Sequence, residues 1–157
     1  MSRAFVKEID DAPGEIADRP VGDAPNYVTP QGAAMIDREL AAIEGKLAAG
    51  VADADEPSLR RDLRYWSARR STMQVTEAND PPLTVTFGTK VLIRRRGRKL
   101  RIAIVGEDEA DPSRNLIAWT SPLAEALLGA GPGDVIDFEA GGNEEEITVL
   151  SIKRLSA

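Results

Sequence analysis

Hydrophobic spacing along the chain changes twice. Over residues 1–28 the apolar side chains keep neither a helical nor a strand period, and Pro13, Pro20 and Pro25 with Gly14 and Gly22 interrupt any regular element. Such a segment buries too little surface to offset its ordering entropy, so 1–28 reads as a disordered or loosely packed tail. The alternative is a strap held on the folded part through Phe5 and Val6. A helix then opens at Thr29-Pro30, an N-cap followed by the proline that a first helical position tolerates. Ile36, Leu40, Ile43 and Leu47 follow at alternating spacings of four and three, a narrow stripe rather than a broad globular face. The helix fails at Ala49-Gly50. After an acidic turn a second helix opens at Pro57 or Ser58, with Leu59, Leu63, Trp66, Arg70 and Met73 as its stripe. Residues 29–78 are therefore expected to close as a short antiparallel coiled-coil hairpin that projects from the rest.

Past Asn79-Asp80-Pro81-Pro82 the period becomes alternating, and the Pro-Pro pair sets a boundary at residue 79. Strand patterns run over 83–87, 90–95, 100–106, 116–119, 134–139 and 144–155, with turns at Gly88, Gly97, Pro112 and Gly141-Gly142. One short helix, 122–128, follows the N-cap Ser121 and stops before Gly129. Its apolar Leu123, Ala126 and Leu127 belong to a core. Residues 79–157 thus read as a small α+β domain in which a twisted, mainly antiparallel sheet wraps one helix. Trp119 and Phe138 are expected in that core rather than in a ligand pocket.

Composition narrows the chemistry. Among 157 residues there is no Cys and no His, which excludes thiol nucleophiles, disulfides, imidazole bases and the usual soft-ligand zinc sites. Carboxylates, Lys, Tyr, Ser/Thr and a hard metal held by oxygens remain. A net charge of −6 makes the chain as a whole no general adsorbent of nucleic acid or membrane, and leaves room for a local basic patch. No stretch approaches the roughly 20 apolar residues of a membrane span, so a soluble cytoplasmic protein without a membrane partner is the expectation.

Two stretches carry a family likeness. Ile117-Ala118-Trp119-Thr120-Ser121-Pro122-Leu123-Ala124-Glu125-Ala126-Leu127-Leu128-Gly129, followed by Gly133-Asp134, resembles the "SPLA-x-ALLG…GD" segment of the GreA/GreB transcript-cleavage factors of bacterial RNA polymerase. Thr29-Pro30-Gln31-Gly32 with Arg38-Glu39-Leu40 is similar to that family's "T-x-x-G…EL" helix start, and 60–75 to its returning coil helix. The resemblance implies a coiled-coil hairpin followed by an FKBP-like domain. It implies a non-enzymatic elongation factor that docks this domain at the polymerase secondary channel, with Thr120, Ser121 and Pro122 as docking residues. It also implies carboxylates at the hairpin tip that share the polymerase's magnesium, with no cofactor of the factor's own.

The tip departs from the family pattern. Its "GDLSEN-x-Y" motif is absent, and Asp53, Asp55 and Glu56 are the carboxylates available in its place. A first helix of 30–48 would be only about 28 Å long. Magnesium ligation needs oxygens at about 2.0 to 2.1 Å, so a hairpin short by even one turn would not reach the metal. This favours a regulator that occupies the channel over a cleavage factor. Short-coil relatives similar to the regulator of nucleoside diphosphate kinase, Rnk, supply the alternative of a module acting on another enzyme. The tip acids fit equally a solvated turn at the positive end of the second helix. Arg60, Arg61, Arg64, Arg69 and Arg70 form a basic helix side that suits nascent RNA, or ion pairs with Glu39, Glu44 and Asp62. The run Arg94-Arg95-Arg96-Gly97-Arg98-Lys99, with Lys90 and Arg101, is the densest charge in the chain. It fits a nucleic-acid or acidic-protein contact, and equally an edge hairpin protected from aggregation.

Overall fold

A computed structural model describes residues 16–156 of the chain. Thr29 caps the first helix, α1 (Pro30–Ala49), its hydroxyl accepting from Gly32 N at 3.0 Å. Gly50, at φ +89°, ends it. The turn that follows leads into α2 (Glu56–Thr72), which returns against α1. Ile36 and Ile43 are buried between the two, with Leu40 and Leu47 half-buried beside them. Short strands β1 (Tyr27–Val28) and β2 (Gln74–Val75) pair in parallel and close the open end of this helical hairpin.

The second helix faces differently from the expected stripe. Arg70 is exposed and pairs with Asp37 of α1 at 2.7 Å. Arg69 turns inward instead and is 3% exposed. The reason is a carboxylate waiting on the other unit, described below. Residues 16–28 also depart from a loose tail. Asp18 pairs with Arg64 at 2.7 Å, the Arg19 guanidinium stacks 3.8 Å from the Tyr65 ring centre, and Asn26 is buried beside α2. The strap is thus built from 16–28. Phe5 and Val6 lie outside the described residues.

Strands β3 (Thr89–Arg95), β4 (Arg98–Val105), β5 (Leu116–Ala118), β6 (Val135–Ala140) and β7 (Asn143–Arg154) form one sheet in the order β5-β4-β3-β7-β6. All neighbours are antiparallel except β4 and β5. The sheet curls over α3 (Pro122–Leu127). Val91, Ile93, Ile102, Ile104, Ile147 and Val149 meet Ala124 and Leu127 in a fully buried cluster. Alternation along each strand sends the intervening residues to the opposite, solvent-facing side. Residues 83–87 form no strand. Val85 is buried and holds the loop after α3, donating to Ala130 O at 2.8 Å and accepting from Gly129 N at 2.9 Å. Its partners are two loop amide groups rather than a neighbouring ladder, which is why an alternating pattern there gives only an extended link.

Candidate functional site

Three places bear on function: the junction of hairpin and sheet, the hairpin tip, and a groove beside α3.

The junction is built from a single 3₁₀ turn, Glu107–Glu109, between β4 and β5. Glu109 reaches the start of α1, accepting from Thr29 N at 3.0 Å, from the Thr29 hydroxyl and from Gly106 N at 3.0 Å. Asp108 reaches the end of α2, accepting from Arg69 Nε at 2.6 Å and from the Tyr65 hydroxyl. Arg69 and Asp108 side chains are 4% and 6% exposed, so this ion pair is held almost out of water. Asn26 completes the set, accepting from Arg69 Nη2 at 2.7 Å and donating to Arg69 O at 2.8 Å. Burial, reinforced by the hydrogen bond to Asp108, pushes the Tyr65 hydroxyl up to about 12. Tyr27 bridges the same seam, its ring 5.1 Å from Trp119 and 6.0 Å from Phe87. Two carboxylates from one turn thus fasten both helices to the sheet. Nothing in the local sequence marked Asp108 and Glu109, because their partners lie 39 and 80 residues away.

At the tip, Asp53 and Asp55 are exposed and Glu56 is half-buried. Glu56 takes an i,i+4 contact from Arg60 at 2.7 Å. Asp53 and Glu56 line a cleft of about 710 Å³ with Asp18 of the strap and with Arg60 and Arg64 of α2. Among the described residues no group of three or more acidic side chains is placed to hold a metal ion. The expected basic side divides: Arg60, Arg61 and Arg64 lie along the strap side, paired with Glu56, Asp62 and Asp18. Arg69 is withdrawn into the junction and Arg70 is tied to Asp37.

The groove lies beside the Ser121 cap. Ser121 Oγ accepts from Ala124 N at 3.3 Å, while Pro122 starts α3 and Thr120 sits half-exposed before it. Pro112, Ile117, Pro122, Leu123 and Phe138 surround an apolar depression of about 660 Å³. Phe138 thus packs on the core and also forms a groove wall, with the Arg95 guanidinium 5.5 Å from its ring centre. The groove begins with Ala110, the residue after the turn that holds the hairpin.

A helical hairpin locked to a curled sheet, with an apolar groove at the Ser-Pro start of its one short helix, defines the class to which the comparisons point. The family model described as transcription elongation factor, GreA/GreB, C-terminal, matches residues 80–154. Transcription elongation factor GreB of Neisseria meningitidis serogroup B is 32% identical over 152 residues, covering 82% of this chain and 93% of that protein. Transcription elongation factor GreA of Yersinia pestis is 30% identical over 151 residues, covering 80% and 96%. The solved GreA/GreB factor from Nitrosomonas europaea shares 19% identity over 82% of this chain and 98% of its own, at a TM-score of 0.42. The chain belongs to the GreA/GreB family of transcription elongation factors. The match to the Neisseria protein takes up 82% of 157 residues, about 129, so roughly 23 of its 152 aligned positions have no counterpart here.

No helix among the described residues is long and apolar enough to cross a membrane.

Proposed function

We propose that this protein binds bacterial RNA polymerase at the secondary channel through the groove beside Thr120, Ser121 and Pro122, and modulates elongation by occupying the channel rather than by stimulating cleavage. It is a non-enzymatic factor in this reading, with the family's coiled coil and FKBP-like domain as its two parts. The observation that carries it is hairpin length. The 20 residues of α1 give a rod of about 30 Å. If the positions missing relative to the Neisseria factor fall in the hairpin, each helix is shorter by about 17 Å. The junction supports the same reading, since a rod fixed by buried carboxylates does not swing outward to recover that length. Asp53, Asp55 and Glu56 then stop short of the polymerase's magnesium, and Arg60, Arg61 and Arg64 on the strap side of α2 exchange their carboxylate partners for the phosphates of nascent RNA.

Retention of polymerase core enzyme on the immobilised protein tests the docking. Ser121→Arg places a long cation at the groove edge, and retention is expected to fall at least tenfold, whereas the lost cap costs only about 0.5 to 2 kcal/mol and leaves the protein folded in a melting curve. Undiminished retention by the variant would move the interface elsewhere. If the wild type retains no polymerase, the short hairpin favours the second reading, a Rnk-like module for another enzyme.

A further inference from the structure

The solvent side of the sheet carries charge that none of this uses. Lys90, Arg94, Lys99, Arg101 and Lys153 are all exposed on the face opposite α3, and none forms an ion pair with a described carboxylate. Arg98 at the hairpin end and Arg114 after β4 are likewise without one. Elsewhere only Arg38 and Lys46, both on α1, lack such a partner among the described residues. Register makes the crowding worse. Arg94 lies directly opposite Lys99, and Lys90 directly opposite Lys153. Like charges facing each other across strands destabilise a sheet. The acids Asp137, Glu139, Glu144 and Glu146 gather on β6 and on the opposite end of β7 from Lys153, where Asp137 faces Glu146 and Glu139 faces Glu144.

The cationic half has a concave centre. Lys90, Arg101, Arg114 and Asn115 surround a cleft of about 370 Å³ floored by Ala103 and Leu116. Asp111, close in sequence to Arg114, directs its carboxylate to Ser113, accepting from its N at 3.0 Å and its hydroxyl at 2.6 Å. From Lys90 to Arg94 the cations run about 13 Å along β3, and about 10 Å across from β4 to β7. One strand of a duplex presents a phosphate about every 3.4 Å along its axis, so this length spans about four of them, well beyond a single anion.

We infer that this face binds the phosphodiester backbone of double-stranded DNA without reading its sequence. No aromatic side chain stands among these cations, so nothing there stacks an unpaired base, which disfavours single strands. A second copy, charge-complementary to this divided face, would find little apolar surface to bury, since Leu92 and Val135 are its main hydrophobic residues. The inference goes beyond the polymerase reading and does not depend on it.

Fluorescence anisotropy of a labelled DNA duplex of about 20 base pairs, titrated with the full chain between about 50 and 200 mM salt, tests it. The triple variant Lys90→Gln, Arg101→Gln, Arg114→Gln is expected to bind at least tenfold more weakly at the lowest salt. Its log affinity against log salt should flatten by about 0.9 for each phosphate that the variant no longer neutralises. Its melting temperature should equal or exceed that of the wild type, because a cross-strand repulsion is removed. The control Arg38→Gln, Lys46→Gln, which removes two cations from α1, should bind as the wild type does. Equal weakening in both variants, or none in the triple, overturns the inference. So does tighter binding of single-stranded RNA of the same length, or displacement of the duplex by stoichiometric tripolyphosphate, which would mark a small-anion site. Salt-sensitive self-association that the triple variant abolishes, seen by sedimentation without DNA binding, would assign the face to a second copy instead.

Discussion

Gly32 sits one turn into α1, where an added Cβ would fall 2.2 to 2.7 Å from atoms of the Glu109 carboxyl group. The spacing Thr29-x-x-Gly32 therefore has a physical reason. The threonine caps the helix and donates to Glu109, and the glycine leaves room for that carboxylate. Gly32→Ala should expel Glu109 and leave Thr29 N and Gly106 N without their acceptor, costing about 1 to 3 kcal/mol in denaturant unfolding. In a Glu109→Ala background the same change should cost nothing, or stabilise by up to about 1 kcal/mol through helix propensity. Equal cost in both backgrounds would show that Glu109 is not the obstacle. Tyr65 gives a second check. Its hydroxyl titrates near 12 in the folded chain against 10.0 for the ordinary group. Between those values the folded state holds a proton that the unfolded chain has released. Its contribution is therefore complete below pH 10 and lost as pH rises through 12. Tyr65→Phe should remove that part of the alkaline decline in melting temperature, and an unchanged decline would contradict the assignment.

The elements show what local patterning fixes and what it leaves open. Both helices, the Thr29 cap of the first and the strands from 89 onward follow from periodicity, proline and glycine placement, because each depends on neighbours a few residues away. The inward side of α2 did not follow. A heptad stripe placed Arg70 on the seam, yet a buried Asp108 from the sheet selects Arg69. Likewise 16–28 carry no period, and their order comes from Asn26, Arg19 and Asp18 finding partners on α2. The candidate site was legible where it coincides with a helix start, at Ser121-Pro122. The junction was not legible, since its acids and cations are far apart in the chain. Replacing Asp108 and Glu109 together by Asn and Gln should therefore loosen the hairpin while leaving the sheet intact. Loss of the charge opposite buried Arg69 alone should cost about 3 to 5 kcal/mol. The chain has no Cys, so a cysteine pair at Asp53 and Asp137 can be spin-labelled cleanly. The wild-type background should give one narrow distance distribution and the double variant a broad one. Identical distributions would mean that the turn does not hold the rod.

For the whole molecule, the parts combine into one geometry: an apolar groove, a turn that ends one residue before its Ala110 and grips the hairpin, and tip carboxylates that stand apart from one another. In the function proposed above, reach is a property of this assembly and not of the tip residues alone. The decisive measurement is transcript cleavage in backtracked elongation complexes, with this protein added alone and in competition with a full-length cleavage factor. The account expects no stimulated cleavage and a progressive loss of the competitor's activity as this protein is raised. Cleavage that appears with the wild type and vanishes in Asp53→Ala, Asp55→Ala, Glu56→Ala would contradict it, because it would show that the short hairpin does deliver its carboxylates to the metal.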